Sequence, residues 1–123
     1  MTQPLALVLY ERLLPGTQLV NRLQDSGYRV QTVHEPGELI ATAEQAKPLI
    51  VFADLESTKV KVVDLIAQLR QNEATKHLPV VAFALDDHKE LQAAAGNAGA
   101  VLTSEAALLH HLPQVLDAAL QLD

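Results

Sequence analysis

Apolar residues in this chain come in short, nearly unbroken runs, separated by stretches in which they recur every third or fourth position. The runs are Leu5 to Tyr10, Leu49 to Ala53 and Val80 to Leu85, with a weaker alternating one from Arg29 to Val33 and a short, Gly-preceded one from Ala100 to Thr103. Runs of this kind predict strands covered on both faces, as in a parallel sheet. The stretches between them place Leu19, Val20 and Leu23, then Leu39, Ile40 and Ala43, then Val62, Leu65, Ile66 and Leu69, then Leu91, Ala94, Ala95 and Ala98 in helical register. Each predicts a helix with one buried stripe. The punctuation agrees with this layout. Pro15 and Pro36 suit first helical positions, Gly27 and Gly99 can close helices in the left-handed conformation, and Asp87 with Glu90 fits a capping box. From Ser104 onward Leu108, Leu109, Leu112, Val115, Leu116 and Leu120 keep a helical register, but Pro113 predicts a break near His111.

Strand alternating with helix five times, joined by short loops, implies right-handed crossovers. The expected fold is α/β, a flavodoxin-like doubly wound three-layer sandwich with a five-stranded parallel sheet and about five flanking helices. Residues 1–123 are expected to form a single domain, since 123 residues suffice for one continuous core. Apolar residues make up 49% of the chain and aromatics only 3%, so that core must be built from aliphatic side chains. Nine Lys and Arg against 15 Asp and Glu give a net charge of −6. The basic residues are scattered along the sequence, which argues against nucleic acid as a partner. Without cysteine there is no disulfide framework or thiolate metal site, and no basic stretch leads into an apolar signal segment. No apolar run approaches the roughly 20 residues of a membrane span. A cytoplasmic protein that does not enter membranes is expected.

In such a sandwich, ligands meet the carboxyl ends of the strands where the strand order reverses. Those ends carry Tyr10 and Glu11, Asp54 and Glu56, Ala84 with Asp86 and Asp87, and Thr103 with Ser104, an acidic rim. Each has a plainer reading beside the chemical one. Asp54 could cap the following helix, Glu11 could be a solvated loop acid, and Asp86 and Asp87 beside His88 could be a helix cap instead of metal ligands. Ser57 and Thr58 could cap a helix or line a pocket. His110 and His111 are adjacent, so on a helix they point about 100° apart and cannot share an ion.

The run Pro48-Leu-Ile-Val-Phe-Ala-Asp54-Leu55, set between two helical patterns, resembles the third strand of the receiver domains of response regulators, the CheY-like domains of two-component phosphorelay signalling. Leu7-Val-Leu-Tyr-Glu11, Ser26-Gly-Tyr-Arg-Val30 and Pro79-Val-Val-Ala-Phe-Ala84 resemble the family's first strand, second-strand turn and fourth strand, so the likeness spans the chain. It implies a non-enzymatic signalling domain in which Asp54 is the candidate phosphoacceptor. It also implies that Glu11, Asp54 and the backbone carbonyl of Glu56 are the ligands for weakly bound magnesium, if any binds.

The departures lie in the pocket. Tyr10 stands in place of one of two adjacent carboxylates, Ala84 in place of a Ser or Thr, Val101 in place of an aromatic switch residue, and Ser104 in place of a Lys. The expected function is therefore a stand-alone, degenerate or pseudo-receiver that acts by binding proteins, a histidine kinase or another signalling partner. A homodimer through the last two helices and strand five is a further expectation, for which Leu108, Leu109 and Leu112 could supply an apolar patch unless they face the core. Two alternatives stand: an atypical but working Asp54 phosphoacceptor, and a small flavodoxin-like cofactor binder or enzyme. The latter lacks a phosphate loop, because Arg12-Leu-Leu-Pro-Gly-Thr17 offers one hydroxyl and one glycine.

Overall fold

A computed structural model describes residues 4–10, 13–56, 61–84 and 89–120. In chain order the elements are β1 (Leu5–Leu9), α1 (Leu13–Asp25), β2 (Arg29–Val33), a single 3₁₀ turn (Pro36–Glu38), α2 (Leu39–Ala46), β3 (Ile50–Asp54), α3 (Val62–Gln71), β4 (Val80–Ala84), α4 (Lys89–Asn97), β5 (Val101–Ser104), α5 (Glu105–His110) and α6 (Leu112–Leu120). All four strand pairings are parallel, and the order across the sheet is β2-β1-β3-β4-β5. That is the flavodoxin-like order, whose direction reverses between β1 and β3.

Successive strand residues point to opposite faces, so each inner strand supplies two cores. On one face Leu7, Leu9, Val51, Ala53, Val80 and Ala82 pack under α2, α3 and α4. On the other, Ala6, Val8, Ile50, Phe52, Val81 and Phe83 pack under α1, α5 and α6. The second layer takes all the aromatic bulk: Phe52, Phe83 and Tyr10 lie within it and Tyr28 packs against it. The first is filled by Leu, Ile, Val and Ala alone. The expected aliphatic core thus describes one layer and not the other.

Strands β3 and β4 are buried at every position, as their unbroken apolar runs require. The edge strands differ. In β2, Arg29, Gln31 and Thr32 are exposed, and β5 is only partly covered, with Leu102 exposed. Edge position therefore explains why their patterns were weak or short in sequence.

Helix ends follow local chemistry. Gly27 and Gly99 adopt positive φ, 91° and 104°, and close α1 and α4 as expected. Lys47 closes α2 with φ 51°, its N–H donating to the Ala43 carbonyl at 3.1 Å. No composition cue marks a lysine for that role. Pro36 opens the 3₁₀ turn, whereas Pro15 is the third residue of α1 instead of the first. Amides of the first turn have no intrahelical acceptor, so a proline is tolerated at either place. The break at Pro113 is real: α5 ends at His110, His111 lies outside helical geometry at φ −129° and ψ 37°, and α6 starts at Leu112. The last segment is two helices, which makes six α-helices among the described residues. Leu108 and Leu112 are buried and Leu109 is half-buried against the same layer, so these leucines face the core and form no free apolar patch. None of the described helices is long and apolar enough to cross a membrane.

Candidate functional site

The reversal of strand order sets the carboxyl ends of β1 and β3 side by side. Leu9 is level with Ala53, and the same register continued by one residue brings Tyr10 level with Asp54. Both belong to the face covered by α1, α5 and α6, because Asp54 follows Ile50 and Phe52 at the strand period of two, and Tyr10 follows Ala6 and Val8.

Asp54 is 1% exposed. A buried carboxylate needs donors, and one is the backbone amide of Glu56, which donates to Asp54 Oδ1 at 2.9 Å. The amide of Leu55 donates to the Phe83 carbonyl at 2.9 Å, extending the β3–β4 ladder one residue past the carboxylate. Asp54 therefore sits in a side-chain-closed turn that fixes how the chain leaves the sheet. The N-cap position of α3 is Lys61, whose side chain makes no capping hydrogen bond.

Tyr10 is buried, and its ring is seated over Gly16 of α1 and edge-on to His34, with ring centroids 4.9 Å apart and planes at 78°. A Cβ on Gly16 would overlap the Tyr10 ring. Edge-to-face contact is a favoured aromatic geometry. Tyr10 is thus anchored toward α1 and the end of β2. Gly16 and His34 escaped sequence reasoning. The only available signal was a glycine followed within α1 by buried Leu19 and Leu23, which is costly in a helix unless something approaches closely.

The other residues expected to stand at switch positions lie as follows. Ala84 is fully buried on the opposite face, under α2, α3 and α4, one residue beyond the Phe83 that pairs with Asp54. Ser104 is level with Ala84, and its hydroxyl accepts the Ala107 amide at 3.1 Å as the N-cap of α5. The neighbouring Thr103 hydroxyl donates to the Ser104 carbonyl at 3.2 Å. Val101 pairs with Val81, at the start of β5 and below the level of Asp54. Glu56 is half-buried beside Asp54. Glu11, Ser57, Thr58, Asp86, Asp87 and His88 lie outside the described residues. His110 and His111 are exposed at the far end of α5 from Ser104.

Among the described residues no group of three His, Asp or Glu side chains could hold a metal ion. Magnesium requires about six oxygens in octahedral array, normally including one or two carboxylates and several waters. Of the three ligands expected for magnesium, Asp54 and Glu56 are among the described residues and Glu11 is outside them.

No protein-family model matches the chain, and no curated protein sequence matches it. Solved structures do. A protein described as a response regulator from Chloroflexus aurantiacus superposes with a TM-score of 0.89 at 18% identity, covering 98% of this chain and 99% of that one. The receiver domain of a sensor histidine kinase from Pseudomonas aeruginosa, which holds a coordinated magnesium ion in its active-site cleft, gives 0.86 at 16% identity over 98% and 99% of the two chains. The chemotaxis response regulator CheY4 of Vibrio cholerae gives 0.77 at 20% identity over 93% and 99%. At these identities the likeness establishes the fold, that of response-regulator receiver domains.

Proposed function

We propose that the chain is a receiver-type signalling domain whose acceptor pocket has lost its switch parts, and that it acts by docking to protein partners, a histidine kinase or another signalling protein. The observation that carries this reading is the engagement of Ser104. In place of a lysine that would pair with a phosphoryl oxygen stands a hydroxyl already committed to the first turn of α5. Ala84 has no hydroxyl to offer, Val101 no ring to rotate, and Tyr10 is held by Gly16 and His34. A phosphoryl group on Asp54 would meet few contacts that differ between two states, and a ligand shifts an equilibrium only by such differences.

A second reading, a working phosphoacceptor, draws on the retained carboxylate at the strand-order reversal and on the Pseudomonas receiver that holds magnesium in its cleft. Intact-mass spectrometry after incubation with magnesium and acetyl phosphate separates the two. The degenerate reading expects no phosphoryl adduct. An acid-labile phosphoryl gain abolished by Asp54→Asn would overturn it in favour of the second.

A further inference from the structure

The opposite end of the sheet has a chemistry of its own. Between the carboxyl end of α3, the end of α6 and the starts of β4 and β5 lies a cleft of about 290 Å³. Its polar wall is Arg70, Lys76 and His77, and Pro79, Val80 and Val101 form part of its apolar floor. Among the described residues no Asp or Glu lines it, although the chain as a whole carries a charge of −6. All three polar residues come from the one stretch between the last turn of α3 and the start of β4, which the fold sets against Gly99 and Val101.

Arg70 is held in place. One guanidinium nitrogen, Nη1, donates to the Leu78 carbonyl at 3.3 Å. Its stem lies across Gly99, where a Cβ would stand 2.9 Å from Nε and 3.4 Å from Cγ. The positive φ of 104° makes glycine the natural residue there, and the missing side chain is what gives Arg70 its resting place. A guanidinium has five N–H donors in a planar fork, so the Leu78 contact leaves others for an oxyanion. Lys76 adds charge from the rim; its Nζ is 3.0 Å from Glu73 Oε2, but both side chains are largely solvated and that pair is weak.

We propose that this cleft binds a small organic anion, a carboxylate or phosphate monoester joined to an apolar group the size of a benzene ring. The volume lies just below the roughly 300–1,000 Å³ typical of small-molecule sites, which suits only a small ligand. The fork would take the oxyanion, and the Pro79, Val80 and Val101 floor the apolar body. The site is independent of Asp54, which lies at the other end of the strands.

The test is a titration followed by amide NMR, with phenyl phosphate, benzoate, inorganic phosphate and neutral phenol as probes. Saturable shifts confined to Arg70, His77, Val80, Gly99 and Val101 are expected with phenyl phosphate or benzoate, and whichever binds more tightly identifies the oxyanion. Phenol and inorganic phosphate should each bind at least tenfold more weakly. Arg70→Met keeps an apolar stem over Gly99 and should weaken binding at least about tenfold, the loss of a charge-assisted hydrogen bond. Should that variant fail to fold, His77→Gln at an exposed position should still weaken binding measurably, and Asp54→Asn should leave it unchanged. The idea fails if neither aromatic anion gives saturable shifts at millimolar concentration, if inorganic phosphate binds as well as phenyl phosphate, or if a folded Arg70→Met chain binds undiminished.

Discussion

At the scale of single residues, the Tyr10 and Gly16 pair decides how the strand-order reversal is filled. Replacing glycine by alanine inside a helix ordinarily stabilises by about 1 kcal/mol. Here the added methyl would enter the Tyr10 ring, and overpacking a filled core costs about 1–3 kcal/mol. Gly16→Ala should therefore destabilise by about 1 kcal/mol in urea unfolding, whereas in a Tyr10→Leu background the same change should turn neutral or stabilising. Additive effects of the two substitutions would show that the ring and the glycine do not share space. This contact was not legible in the sequence, because Tyr10 and Gly16 belong to different elements and only the β1–α1 packing brings them together. Asp54 was legible as a strand-end carboxylate, but its turn with the Glu56 amide was not, since a two-residue side-chain bond leaves no periodic trace.

At the scale of elements, α5 is the informative case. It has six residues, too few to persist in water without its packing and its cap. The Ser104 hydroxyl is that cap, and Ser104→Ala should cost about 1 kcal/mol and speed hydrogen exchange at the Ala107 amide. Unchanged exchange at Ala107 would remove the cap from the account. A lysine placed at this position would bring a cation to the strand end and lose the helix start. Inner strands and the Pro113 break were readable because burial on both faces and a missing amide each leave one local signature. β3 and β5 each begin one residue later than their apolar runs, because Leu49 and Ala100 are apolar but precede the first residues in register with a neighbouring strand, Ile50 and Val101. Six helices replaced about five because a single continuous leucine register runs through two helices, and the turn at His111 does not interrupt it.

At the scale of the whole molecule, charge and aromatic bulk are both distributed unevenly between the two ends and two faces of the sheet. Tyr28 packs on the aromatic layer, where burial first and the nearby Asp117 carboxylate second raise its hydroxyl pKa above the usual 10.0. The folded state then holds the phenol proton more tightly than the unfolded chain does. Stability from this group is complete below the unfolded value and is lost as pH climbs through and beyond it toward the raised folded value. Thermal unfolding followed across that alkaline range should show a fall in midpoint that Tyr28→Phe reduces. An identical fall in the variant would assign the effect to other groups. The uneven charge was the least legible feature, because Arg70, Lys76 and His77 meet Gly99 and Val101 only after α3, β4 and α4 have been wound into place.

The chain contains two tyrosines and no tryptophan, and one of the two has its ring set edge-on to His34 at the mouth of the strand-order reversal. Aromatic rings displace the resonances of nuclei that sit against them, so the His34 ring protons register the tilt of Tyr10 directly. Whatever docks or reacts beside Asp54 acts next to a ring whose orientation is already written into a neighbour's spectrum. The tyrosine beside Asp54 is thus an unlabelled spectroscopic probe of that end of the sheet.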